Sequence, residues 1–189
     1  MEPGTPPKLT GAAAADAAAK AIDAAVTQRG EKLVDLSEQG TVMLVFLRHS
    51  GCTFCRETLA DIAARRGQAA FAKIRIVLVH MGDQEGIDAL LRKYNLDGID
   101  CIGDAEQKLY QVFGLKRGRI GQLLGPKVWW RGIQAGILAG HGLGKPTADP
   151  TQMPGVFLLK HSSVAGSFRH RSAADRPDYL AICAPHASQ

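Results

Sequence analysis

A chain of 189 residues, 46% of them apolar, can bury a sizeable core, and its length fits one compact domain with a tail and an insertion more simply than two domains. Its 23 Lys and Arg against 18 Asp and Glu leave a formal charge of +5 spread along the chain rather than concentrated in a block, a balance that does not suggest nucleic-acid binding. Four cysteines are too few for a disulfide scaffold, and two stand so close that a bridge would close almost no loop, so their use is read as chemical.

Residues 1–11 carry prolines and glycines without periodicity and are expected to form a flexible tail, with one domain over 12–189. A helix is expected from about Ala12 to Arg29. Asp16, Lys20 and Asp23 interrupt its Ala-rich run before a signal-like apolar block forms, and no stretch reaches the roughly 18 uncharged apolar residues of a membrane span. The expectation is a soluble protein of a reducing compartment, the cytoplasm. The run Thr41 to Leu47 is continuously apolar, as in a central strand covered on both faces, and leads into Cys52-Thr53-Phe54-Cys55. Beyond Cys55, Leu59, Ile62 and Ala63 recur at helical spacing, with Arg56, Glu57, Asp61 and Arg65 read as the other side of that helix. A second buried strand over Ile74 to Val79 and a helix from about Gln84 to Tyr94 complete a strand-helix-strand-helix unit. A short strand at Ile99 to Ile102, a helix at Glu106 to Phe113, a strand at Gly155 to Leu159 and a closing helix at 178–183 follow. The pattern predicts an α/β fold with three layers, a central mixed sheet flanked by helices.

Between about 115 and 152 glycine becomes frequent and a helix near Pro126 to Ala139 carries Trp129, Trp130, Ile133 and Ile137, which reads as a helical and loop insertion. Its bland role is packing against the core or against a second copy of the chain in a homodimer; its basic excess would also suit docking on a membrane surface or an acidic partner.

A Cys-x-x-Cys pair at the start of a helix places unpaired backbone N–H groups and the positive end of the helix dipole beside sulfur, which favours thiolate. Arg48, His49 and Arg56 act in the same direction, and Thr53 lies between the two thiols. One cysteine can attack a substrate and the other, one turn away, resolve the mixed disulfide or sulfenic acid. Half of a zinc site is the rival reading, but no second cysteine or histidine pair supplies the other half. Cys101, beside Asp100 and Asp104, and Cys183, in an apolar run, read as packed residues. Asp83 and Asp175 read as turn and cap residues. In a thioredoxin fold a cis-proline lies against the dithiol, and Pro154, after Met153 and before the late strand, is the candidate; an ordinary trans proline opening a strand is the alternative. No nucleotide fingerprint is present, so no bound organic cofactor is expected.

The segment Phe46-Leu47-Arg48-His49-Ser50-Gly51-Cys52-Thr53-Phe54-Cys55-Arg56-Glu57, with Gly114-Leu115, Pro126-Lys127-Val128-Trp129, Pro154-Gly155-Val156-Phe157, Phe168-Arg169-His170-Arg171 and Asp175-Arg176-Pro177, resembles the peroxiredoxin-like branch of the AhpC/TSA superfamily (alkyl hydroperoxide reductase/thiol-specific antioxidant), in particular its SelL-related proteins. The resemblance implies a thioredoxin-like fold and thiol-dependent redox activity, with sulfur at Cys52 and Cys55 where SelL proteins carry selenium. It places Cys55 like the peroxidatic cysteine of standard peroxiredoxins and Cys52 where their active-site threonine stands, a departure that weighs against efficient peroxidase activity. It also makes Arg169, on a late basic strand, the candidate active-site arginine, with Arg171 second.

The expected function is therefore a thiol-dependent oxidoreductase acting on a protein disulfide or a small hydroperoxide, recycled by an external thioredoxin- or glutathione-type reductant. The primary nucleophile is Cys52 if the chemistry is thioredoxin-like and Cys55 if it is peroxiredoxin-like. The rival classes are a non-catalytic redox sensor or interaction module, and a zinc-binding module.

Overall fold

The computed structural model describes residues 12–48, 52–68, 71, 73–118, 149, 151–172 and 174–183. The expected tail at 1–11, His49, and residues 119–148 of the expected insertion, with Trp129 and Trp130, lie outside the described residues.

The strands are β1 (Thr41–Phe46), β2 (Ile74–His80), β3 (Asp100–Gly103), β4 (Gly155–Lys160) and β5 (Ser163–Arg169). They form one mixed sheet in the order β3-β2-β1-β4-β5, with β1 parallel to β2, β2 parallel to β3, and β4 antiparallel to both β1 and β5. The helices are α1 (Ala12–Ala24), α2 (Leu33–Gln39), α3 (Thr53–Arg65), α4 (Gln84–Lys93), α5 (Lys108–Val112) and α6 (Tyr179–Cys183).

The continuous apolar runs of the central strands supply two cores at once, because successive side chains point to opposite faces. Met43 and Val45 of β1, Ile76 and Leu78 of β2, and Val156 and Leu158 of β4 meet Leu59 and Ile62 of α3, Ile87, Leu90 and Leu91 of α4, and Tyr179 of α6. Val42, Leu44 and Phe46, Val77 and Val79, and Phe157 and Leu159 meet Ile22 of α1, Leu33 and Leu36 of α2, and Leu109 and Tyr110 of α5. This is the expected three-layer thioredoxin-like architecture.

Several elements differ from expectation for local reasons. The first helix stops at Ala24 rather than Arg29, because the Thr27 hydroxyl accepts the N–H of Arg29 (3.3 Å) and Glu31 (3.2 Å), Gly30 adopts φ +82°, and Val26 bridges Lys32. That φ favours glycine and turns the chain into α2. The short helix α5 starts at Lys108, since the Asp104 carboxylate takes the N–H groups of Lys108 (2.9 Å), Leu109 (2.8 Å) and Tyr110 (3.2 Å). Asp83 caps α4 through the Gly86 N–H at 2.7 Å, as expected. The described ends of the insertion are drawn together: Arg117 bridges Gln152, the Gly118 N–H donates to the Thr151 carbonyl at 2.7 Å, and Met153 N–H to Lys116 at 3.1 Å.

Candidate active site

The main-chain ladder of β1 runs past its last strand residue, with the Leu47 N–H donating to the Val79 carbonyl at 2.9 Å. Cys52 then occupies the N-cap position of α3 in extended backbone, and the Arg56 N–H closes the first turn on its carbonyl at 3.1 Å. Neither cysteine is in a disulfide, and both are buried, Cys52 5% and Cys55 3% exposed. The Arg48 N–H donates to Cys55 Sγ at 3.1 Å, and its guanidinium reaches Cys52 Sγ at 3.5 Å while Nε donates to the Gln152 carbonyl at 3.2 Å. Arg48 is thus a buried clamp that touches both sulfurs and the neck of the insertion.

This setting holds the Cys52 thiol down at about 6. The hydrogen bond from Cys55 is the largest cause; burial opposes it, and the Arg48 charge and the backbone N–H groups of Cys55 and Phe54 add to it. Hydrogen bonding and nearby positive charge stabilise the thiolate more than desolvation penalises it. Cys101 is the contrast: burial first, then Asp88 and Asp100, push it up to about 12. Cys101 is fully buried, the packed residue expected, and burial outweighs its acidic neighbours in disfavouring thiolate. Burial also raises Cys183.

A cleft beside the dithiol is lined by Arg48, Phe54, Cys55, Thr58, Pro154 and His170, among others. Pro154 lines the same cleft as Cys55, but its peptide bond is trans, as are all others among the described residues; the cis geometry expected by analogy with thioredoxins is corrected here. The proline opens β4 as a residue without an N–H to pair. Gly155 follows because a Cβ there would sit 2.6 Å from Leu115 Cδ2 and 3.2 Å from the Phe168 carbonyl oxygen.

The late basic strand delivers a different residue from the one anticipated. In the β4–β5 register Gly155 faces Arg169 and Val156 faces Phe168. Alternation puts Phe168 and His170 on the α3 side and Arg169 on the other. There the Arg169 guanidinium lies 4.7 Å over the Phe157 ring and donates from Nε to the Phe113 carbonyl at 3.0 Å. It anchors the end of α5 instead of reaching the sulfurs. Arg171 lies beyond the strand, where its N–H donates to Asp175 at 2.7 Å, and Asp175 also accepts Ser172 N–H and Oγ, the turn role expected of it. His170 lines the cleft, and its Nδ1 is buried without a hydrogen-bond partner. An unpaired buried nitrogen costs about 1–3 kcal/mol, so its presence at the dithiol calls for a reason. Of the other expected residues, Thr53 is the buried first residue of α3, and Arg56 is half-buried with its charge felt at Tyr94.

Glu57 and Asp61, placed by the sequence on the side of α3 opposite its apolar residues, are not left to solvent. Both are buried, and Arg176, from the segment before α6, closes over them. It donates from Nε to Asp61 Oδ2 at 2.6 Å, bonds Asp61 Oδ1 as well, and stands 3.9 Å from Glu57. Arg65 adds a 2.7 Å bond to Asp61. Burial alone would raise Asp61, but these bonds outweigh it and hold its carboxyl below the usual range. Among the described residues, no group of three or more His, Cys, Asp or Glu is placed to hold a metal ion, and no helix is long and apolar enough to cross a membrane.

Residues 61–174, more than half of the chain, match the family described as AhpC/TSA antioxidant enzyme. The chain belongs to that family. Membership makes it a thiol-dependent redox enzyme at the level of class. The matched stretch begins within α3 after Cys55, so the dithiol stands outside it. Among solved structures, Xanthomonas campestris peroxiredoxin Q superposes with a TM-score of 0.59 at 16% identity, over 87% of this chain and 90% of that one. The yeast mitochondrial 1-Cys peroxiredoxin gives 0.56 at 10% identity over 84% and 68%, and peroxidoxin BcpB from Mycobacterium tuberculosis 0.53 at 20% over 87% and 92%. At such identities these likenesses establish the fold shared with the AhpC/TSA enzymes. No curated protein matches the chain.

Proposed function

We propose that this AhpC/TSA family member is a dithiol oxidoreductase in which Cys52 attacks and Cys55 resolves. The observation that carries the reading is the Cys52 sulfur at the α3 N-cap, hydrogen-bonded by Cys55, facing the Arg48 guanidinium and held down at about 6. At neutral pH such a thiol is largely thiolate and attacks one sulfur of a substrate disulfide, releasing the other as a thiol. The Cys55 sulfur then attacks the mixed disulfide, forming Cys52–Cys55 and expelling the reduced substrate. An external thiol reductant returns the dithiol to its starting state; the yeast mitochondrial 1-Cys peroxiredoxin is resolved via glutathione/thioredoxin systems, and a donor of the same type suits this chain. No bound organic cofactor is needed.

A second reading has its own support. Cys55, which receives the Arg48 N–H and lines the cleft, would be oxidised by a small hydroperoxide to a sulfenic acid, and Cys52 would condense with it, releasing water. Both routes end in the same intramolecular disulfide.

Steady-state reduction of insulin disulfides and consumption of peroxide, each with a thiol reductant, separate them in the Cys52→Ser and Cys55→Ser variants. The proposal expects disulfide reduction to be lost in Cys52→Ser and a mixed disulfide to be trapped on Cys52 in Cys55→Ser. Peroxide turnover that survives Cys52→Ser, with a sulfenic acid on Cys55, would reverse the roles. One oxidation event without turnover would make the protein a redox sensor.

A further inference from the structure

Resolution by Cys55 has a proton to dispose of. Its thiol is buried, donates its hydrogen bond toward Cys52, and must lose S–H as the new S–S bond forms. Water has little access to a sulfur that is 3% exposed. The acceptor must therefore be a group of the protein facing the same cleft.

Besides the two cysteines, four titratable or charged groups bear on that position. Tyr110 feels the Cys55 charge, but its buried hydroxyl is neutral, donates to the Leu47 and Val79 carbonyls and is no base. Arg48, after β1, presents N–H donors to the sulfurs and offers no acceptor atom. Asp175, beyond β5, has its carboxylate occupied by Arg171 N–H and by Ser172 N–H and Oγ. His170 lines the cleft with Cys55, and its Nδ1 is buried and without a hydrogen-bond partner. The strand register fixes its direction, since Pro154 and His170 extend the Gly155–Arg169 pairing by one residue and the His170 N–H donates to the Pro154 carbonyl at 3.4 Å. Phe168 packs edge-on at 5.1 Å and holds the ring.

We infer that His170 is the proton acceptor for the Cys55 thiol during resolution, a role that rests on the reading of Cys52 as the attacking sulfur. The Cys55 S–H proton passes to His170 while the Cys55 sulfur bonds to Cys52. The bond between Cys52 and the substrate sulfur breaks, that sulfur takes the electron pair, and it leaves as a thiol with the proton from His170. The dithiol loses two electrons and the substrate disulfide gains them. Burial, opposed by Asp175 and reinforced by Arg48, keeps the imidazole neutral down to about 4, so it is ready to accept across the neutral range.

The test is rapid mixing of the reduced protein with an aromatic disulfide whose released thiolate is coloured, which resolves attack and resolution as two phases. The Cys52→Ser/Cys55→Ser double variant reports the contribution of Cys101 and Cys183. With His170→Ala and His170→Gln, the second phase should slow by about a hundredfold with the first unchanged. It should rise about tenfold per pH unit through neutrality, where the wild type is flat, as expected when only preformed thiolate reacts. Added imidazole should restore it in His170→Ala. An unchanged second phase overturns the inference, and so does a slowed one with wild-type pH dependence and no imidazole rescue, which would mean packing alone. Failure of the underlying reading is seen separately, as a first phase that survives Cys52→Ser and vanishes in Cys55→Ser. The His170 effect then belongs to the first phase, and its absence from both phases overturns the inference as well.

Discussion

On one side of the sheet Phe46, Phe113 and Phe157 meet with ring centroids 4.8–5.5 Å apart, whereas the other side buries Cys52, Cys55, Glu57 and Asp61 along little more than two turns of α3. Two buried polar groups on the aromatic side are committed to backbone, the Tyr110 hydroxyl to the Leu47 and Val79 carbonyls and the Asp104 carboxylate to three N–H groups. On the α3 side the buried groups include a titratable thiol and a ring nitrogen with no partner. The same strands serve both sides, so the dry side can hold the backbone rigid while the other tolerates unpaired chemistry.

If that division is real, damage to one side should not pass to the other. Phe157→Ala removes a fully buried ring from the aromatic side and should cost about 3–5 kcal/mol in chemical denaturation, with the thiolate absorbance of the folded variant still titrating near the wild-type midpoint of about 6. A shifted midpoint would break the separation. Asp61→Asn leaves Arg176 and Arg65 without their carboxylate, and because Arg176 is half exposed the loss should be about 2 kcal/mol rather than the full cost of a buried pair. The folded carboxyl is depressed, so its contribution is complete above the unfolded value of about 3.9 and fades as pH falls below it. Wild type and variant should therefore converge in acid. The smallest effect sharpens the comparison within the site: Arg48→Met should raise the Cys52 midpoint by about one unit and Cys55→Ala should raise it further, since the Cys55 bond is the larger cause. By the same linkage the reduced protein gains stability from Cys52 as pH rises from about 6 toward the ordinary thiol value of about 8.5, and each variant narrows that window.

Much of this was readable from local pattern. The apolar runs of β1, β2 and β4 announced strands covered on both faces, and the cysteines after the first run announced a dithiol at a strand-to-helix turn. What escaped depends on partners distant in sequence. Glu57 and Asp61 look solvated until Arg176 arrives from more than a hundred residues away. His170 and Arg169 are neighbours in a basic stretch, and only the register of β5 against β4 decides which one faces the sulfurs. The hairpin between those strands turns on His161 and Ser162, both at positive φ, without the Asn-Gly pair that usually marks such a turn. α2 begins at Leu33 after Lys32, whose side chain makes no capping bond.

The position of Cys52 at the head of α3 also ties local order to oxidation state. In the reduced protein a charged sulfur stands where helices usually place a Ser or Asp oxygen, beside the amides of Phe54 and Cys55. A disulfide carries no such charge, so each oxidation removes the charge–dipole attraction at the head of α3 and each reduction restores it. Hydrogen exchange at the first turn of α3 should accordingly speed up and slow down with the redox cycle, a backbone clock that needs no label on the sulfurs.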